Sequence, residues 1–353
     1  AANGRLSVDV AFALPYAAMQ LFFGPIGDAV GKVRLVRVNL TLLSVGLAAS
    51  ALAPSHGALF AARVMSGAVA GGIIPLVLAS VGDRASFAER PVALSRVLLA
   101  LILGQLSGSA ASGFIAEFLG WRYVFWTACA VAVLAAGSTM LFLSETRARE
   151  TVSFASALAR YRLVLSNPLS VRLYGVVALE GAIIFGSFPL VAPLMVAHGL
   201  GDALEAGVVL GAFAVGGAFY TFAVVALVRL LGLSGMVAVG AAGVGLLVGT
   251  AAFMPSLVGV AALFALAGFA FYMIHNVLQI LATELAPGAR GSGVALFAAS
   301  FFIGQGVGAV MMASLAERIG TEAVFALAGL GMLLLAWPAS RLPARATAHV
   351  ERS

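Results

Sequence analysis

Apolar residues run along this chain in stretches of about 20, separated by short polar breaks, with neither the alternation of strands nor the sparser stripe of surface helices. About 20 consecutive apolar residues suffice for a helix to cross a bilayer. The pattern predicts eleven such spans: 7–25, 36–53, 57–82, 92–116, 123–143, 171–197, 204–228, 235–253, 256–282, 292–315 and 321–340. Most breaks are very short, such as those at Pro54–Gly57 and Met254–Ser256. The longer exception, 144–170, carries Glu145, Arg147, Arg149, Glu150, Arg160 and Arg162 and divides the chain in two. The expected class is an all-α membrane protein, because a backbone in hydrocarbon must satisfy its own hydrogen bonds.

Composition agrees. Of the 353 residues, 62% are hydrophobic and 10% charged, with mean hydropathy +1.09. A soluble domain averages about 25% charged residues, so hydrocarbon is the solvent for most of this chain. The net charge of +6 does not argue for nucleic acid, because the basic residues sit in short loops. Sixteen of the twenty Lys and Arg fall on one side of the predicted spans, three (Arg5, Arg122, Arg318) on the other, and Arg63 within a span. That bias makes the richer side cytoplasmic, with the C-terminus inside and residue 1 outside. Trp121, Tyr123 and Trp126 gather at an outer end and Trp337 near an inner one. The lone Cys129 excludes an internal disulfide. His56, His198, His275 and His349 are scattered without metal-ligand spacing. Neither a metal nor a cofactor is expected, and no polar cluster suggests an enzyme.

The halves repeat at an offset of 200. Between 103 and 128, nine of 26 positions match without a gap, among them Gly104-Gln105 with Gly304-Gln305, Ala116-Glu117 with Ala316-Glu317, and Val124-Phe125 with Val324-Phe325. Parallel repeats about an axis normal to the membrane are a transporter architecture. The same offset sets the partner of 171–197 before residue 1. We therefore expect an N-terminal bundle at 1–143 lacking its first helix, a cytoplasmic linker at 144–170, and a C-terminal bundle with a short tail at 171–353. The first bundle should expose a groove where that helix belongs.

Several motifs resemble the major facilitator superfamily over essentially the whole chain. Gly24-Pro-Ile-Gly-Asp28-Ala-Val-Gly31-Lys32 is similar to the family's loop between helices two and three, departing at Ala29 and Val33, where the family is usually basic. Arg229-Leu-Leu-Gly232 is a degenerate second copy. Arg63-Val-Met-Ser-Gly67 resembles a helix-four pattern linked to proton coupling, although a snorkelling Arg reads the same way. Gly104, Gly108 and Gly113 fit the helix-five antiporter motif, with Ser109 in place of its Pro and Ser112 in place of a Gly. Close helix packing explains these small residues equally well.

Glu180 is the acid deep in an apolar span, about nine residues or ~14 Å from the cytoplasmic end. Burial disfavours its charged form, which suits a reversible proton carrier; a vestibule or structural role is the alternative. His275 and Gln279 share a helical face beside Asn276, and with Gln20, Gln105 and Gln305 they are candidate cavity groups or ties between helices. The resemblance implies the major facilitator fold and a twelve-helix drug or sugar efflux permease working by proton-coupled alternating access. It would be a multi-pass monomer of the plasma membrane, the inner membrane of a bacterium, with a small-molecule substrate, protons and the lipid bilayer as partners. Facilitated uptake, a receptor, or a chain that does not transport without its first helix are the rival expectations.

Overall fold

The computed structural model describes residues 2–84, 90–145, 154–286 and 289–344, and among them every regular element is helical. The first part comprises α1 (Ala2–Val30), α2 (Lys32–Leu52), α3 (His56–Ala70), α4 (Ile73–Arg84), α5 (Arg90–Phe118) and α6 (Trp121–Phe142). A short α7 (Phe154–Leu165) comes next. The second part holds α8 (Ser170–Glu180), α9 (Val191–Ala197), α10 (Ala203–Ala251), α11 (Leu257–Glu284), α12 (Arg290–Ile319) and α13 (Thr321–Ser340). Among the described residues, eight helical segments are long and apolar enough to cross a membrane, and Val10–Phe23 of α1 is a shorter apolar helix.

Three features depart from uninterrupted spans. The 57–82 stretch is two helices, α3 and α4, that meet at Gly71 and Gly72. The 171–197 stretch breaks into α8, a π turn at Gly181–Phe185, a 3-10 turn at Phe188–Leu190, and α9. The 144–170 linker contains α7. The spans 204–228 and 235–253 are two helices that follow one another across a kink at Gly232, with φ 64°, and carry the single label α10. No residue but glycine takes that value readily.

Gly120 and Gly320, related by the repeat, have nearly the same backbone angles (φ 93°, ψ 159° and φ 88°, ψ 157°) and begin α6 and α13 respectively. Turns this tight let each helix pair run back antiparallel.

Packing is uneven. One large apolar core lies wholly within 164–342, with Phe213, Phe264, Phe271 and Phe325 among its fully buried side chains. A smaller cluster joins Phe23, Val36, Leu40, Leu76 and Ala136. Small residues bring helices together: α3 lays Gly67 and Gly71 on the backbone of Phe12 and Tyr16 in α1, and α11 lays Gly268 on that of Phe213. The two parts meet where α1 packs on α12 and α5 packs on α10. At the second contact Gly113 and Gly207 touch, and a Cβ added at Gly113 would stand 2.8 Å from the Ala203 carbonyl oxygen.

α5 and α12 are repeat partners with different surroundings. Gly304 and Gly308 of α12 lie against the backbone of Ala178 in α8 and Ala182 in the π turn, whereas a Cβ at Gly104 or Gly108 of α5 meets nothing within 4 Å. The face of α5 around Leu103, Gly104, Gln105 and Gly108 is exposed.

Candidate functional site

Glu180 is the last residue of α8, where the helix gives way to the π turn, closed by a Gly186 N–H donating to the Gly181 carbonyl at 3.0 Å. One extra residue in a turn rotates the helix before it relative to the chain after it. Glu180 faces α11, while Gly181 and Ala182 seat the chain on α12. The Glu180 side chain is fully buried, and its Oε2 is 3.1 Å from Nδ1 of His275 on α11. Its Oε1 has no hydrogen-bond partner. His275 retains 18% exposure, so the pair has a buried member and a half-buried one.

Aromatic rings hold the imidazole. Phe271 stacks on it at 4.9 Å and 25°, and Phe297 and Phe301 meet it edge-on at the same separation. Phe185, at the end of the π turn, packs on Phe188, Phe271 and Phe301. Such surroundings lower the local dielectric and strengthen the electrostatics of the pair. A carboxyl and an imidazole sharing one proton are neutral overall, the state that costs least in hydrocarbon.

The other polar candidates divide. Asn276 donates to the Tyr220 hydroxyl at 3.1 Å, tying α11 to α10. Gln20 is 4% exposed and shares a hydrogen bond with Tyr16, leaving its Oε1 without a partner. Tyr16 in turn packs 4.4 Å from Phe302 across the α1–α12 contact. Gln305 on α12 also has a buried Oε1 without a partner. Gln105 and Gln279 are exposed. The shared helical face of His275 and Gln279 is therefore not one polar surface: His275 turns to Glu180, and Gln279 lies outside the buried pair. Arg63 rests over the Phe12 ring at 4.2 Å and near Phe125 at 5.6 Å. Those contacts anchor α3 to α1 and α6, apart from the Glu180 pair.

Between α1 and α2, Gly31 (φ 106°) turns the chain. The Glu145 carboxylate accepts from the Arg34 N–H at 2.6 Å and the Val33 N–H at 3.4 Å. It thus caps the α2 N-terminus, where the helix dipole favours negative charge. Arg37 donates to the Thr139 carbonyl at 2.8 Å and to that of Leu143, and Arg84 to that of Ser144. Lys32 is half-buried. The helix backbone includes Gly24 and Asp28, but the Asp28 side chain lies outside the described residues. The sequence offers Glu145 only as one of several linker charges; its spacing from α2, over a hundred residues, carries no local signal.

The α7 helix bridges the two parts. Tyr161 donates to the Leu21 carbonyl of α1 at 2.8 Å, and Asn167 donates to the Leu285 carbonyl at 2.9 Å. Burial pushes the Tyr161 hydroxyl above its ordinary value, so it remains a donor at physiological pH.

Among the described residues no three His, Cys, Asp or Glu side chains gather in a metal-binding group.

Comparison with known proteins adds to this geometry. The family model for the Major Facilitator Superfamily matches residues 7–287. The MFS transporter cpaT of Aspergillus oryzae is 31% identical over 131 residues, which cover 37% of this chain and 26% of that protein. Multidrug resistance protein 2 of Bacillus subtilis (strain 168) is 31% identical over 136 residues, 38% of this chain and 34% of that protein. The matches thus span about a quarter to a third of these relatives' length. The crystal structure of the human organic anion transporter MFSD10 (TETRAN) superposes with a TM-score of 0.71 at 18% identity, covering 95% of this chain and 83% of that one. The nucleoside transporter NupG gives 0.72 at 12%, covering 97% and 90%. At such identity these structures speak for the fold alone.

Proposed function

The chain belongs to the Major Facilitator Superfamily, and on that premise we propose that it expels a small molecule by proton-coupled alternating access. In this reading the bundles at 1–143 and 171–353 rock about a site near the midplane, joined by the 144–170 linker. The protein works as a monomer in the plasma membrane, the inner membrane if the host is a bacterium. Relatives named as an efflux pump and a multidrug resistance protein favour the outward direction.

The observation that carries the coupling is the Glu180–His275 pair, buried in an apolar core at 3.1 Å. Its half-buried imidazole is the member through which a proton enters, and the carboxyl behind it holds the compensating charge. Gaining or losing a proton changes the net charge of the pair, and hydrocarbon penalises each charged state. The π turn beside Glu180 seats on α12, and α12 packs on α1. A charge change therefore acts where the bundles meet, and substrate binding can be traded against it. The unpartnered carbonyl oxygens of Gln20 and Gln305 are the acceptors we assign to substrate on either side of that contact.

The test is transport into proteoliposomes under an imposed pH gradient, with a substrate found by screening dyes and drugs. Glu180→Gln keeps size and hydrogen bonding but cannot ionise. It is expected to abolish gradient-driven movement while leaving substrate exchange in part. A Gln variant that tracks the gradient with wild-type pH dependence would make the pair structural and move the proton site elsewhere.

A further inference from the structure

Away from that site, a cavity of about 490 Å³ opens between the second half of α10 and the outer half of α13. Glycines make it. Gly245 and Gly329 bring the two backbones together, a Cβ on Gly245 falling 2.6 Å from the Gly329 oxygen, and Gly249 above them leaves a hollow. Leu246, Phe253 and Leu330 form its rims and are 60%, 66% and 49% exposed. Apart from Thr250, no lining side chain is polar.

Depth and surroundings identify what fills it. From Gly245 to Phe253 is about 12 Å at 1.5 Å per residue, close to one leaflet of a hydrocarbon core ~30 Å thick. The charge bias along the chain sets this end of α10 and the start of α13 at the outer face. The rims continue the lipid-facing surface of these spanning helices. Water does not stably fill an apolar hollow, and an empty one forfeits contact on every wall. A second copy would set projecting rims against projecting rims, because an isologous contact must be self-complementary.

Polar groups stand beyond the upper end, outside the lining. Met254 lines the cavity, and its carbonyl oxygen is 3.3 Å from His198 Nδ1. Nε2 of that ring is 3.6 Å from Oε1 of Glu322, whose side chain is 38% exposed. A carboxylate thus stands at headgroup depth over an apolar slot one leaflet deep. We propose that the cavity is a phospholipid site, holding one acyl chain of an outer-leaflet lipid whose ammonium headgroup rests on Glu322. The ligand class is phosphatidylethanolamine.

The full chain is reconstituted in vesicles of equal parts phosphatidylethanolamine and phosphatidylglycerol, extracted in mild detergent, and weighed with its retained lipid by native mass spectrometry. One phosphatidylethanolamine per chain is expected. Gly249→Leu has room, its nearest neighbour being Gly329 Cα at 3.7 Å, and fills the slot. Retention should fall about tenfold, equivalent to roughly two methylenes no longer buried, with thermal unfolding unchanged. Ala326→Leu, on the facing wall, is the second variant and should act alike. Glu322→Gln should keep a lipid but lose the preference for ethanolamine. Wild-type retention in both leucine variants overturns the site, and so does a disulfide between two chains at Gly249→Cys, which would make a second copy the occupant. An unchanged lipid preference in Glu322→Gln overturns the headgroup assignment.

Discussion

Removing both members of the Glu180–His275 pair should cost much less than the two single removals together. Glu180 is fully buried and His275 is 18% exposed, with 3.1 Å between Oε2 and Nδ1. In His275→Leu the carboxyl loses its one side-chain partner. A buried hydrogen bond to a charged group contributes about 1.5–3 kcal/mol, and an orphaned buried polar group costs about 1–3 kcal/mol. Each single variant is therefore expected to lose roughly 2–4 kcal/mol, and Glu180→Leu with His275→Leu much less than the sum. Neutral interhelical hydrogen bonds in membranes couple by ~0.6 kcal/mol on average and at most ~1.7 kcal/mol. A coupling above about 2 kcal/mol thus marks an ion pair, which is what a proton carrier requires. The assay is a double-mutant cycle by denaturant titration in bicelles at neutral pH, repeated at acid pH. Once the carboxyl holds its own proton, the coupling should fall to the neutral range. Additive losses at neutral pH, or a small coupling independent of pH, would refute an ionised pair.

Gly304→Leu should block the seat of α8 on α12 and abolish folding or cost at least about 1–3 kcal/mol by overpacking, whereas Gly104→Leu at the open repeat position should leave thermal unfolding within about 0.5 kcal/mol. Equal losses would show that something covers α5. Glu145→Gln removes the charge from the α2 N-terminus and should cost about 0.3–1 kcal/mol, shrinking with added salt; a salt-independent loss would point to packing instead. Tyr161→Phe deletes the bond to the Leu21 carbonyl and should cost about 1 kcal/mol. It should also speed labelling of cysteines placed at the C-terminal end of α1; unchanged labelling would mean that α7 does not latch the two parts.

Class was legible from the residues alone. Span length and charge scarcity reflect the solvent, since hydrocarbon admits only long apolar helices and the translocation of basic loops is costly. Apolar spans could therefore be recognised, and Gly120 with Gly320 could be matched, before any coordinates. Family membership showed in loop motifs such as Gly31-Lys32. Helix breaks were less legible: Gly71-Gly72 and Gly232 are visible in the chain, but the other adjacent pair, Gly216-Gly217, stays helical. The π turn after Glu180 has no composition of its own, because it depends on how α8 must rotate to seat on α12. Glu180 and His275 were each legible as polar residues in apolar runs. Tertiary packing alone brought them together, 95 positions apart, separated Gln279 from His275, sent Asn276 to Tyr220, and gave Glu145 to the end of α2. Periodicity fixes which residues share a face of one helix. It carries no information about the rotation and depth at which two helices meet, and those are set by the small residues that let their backbones touch.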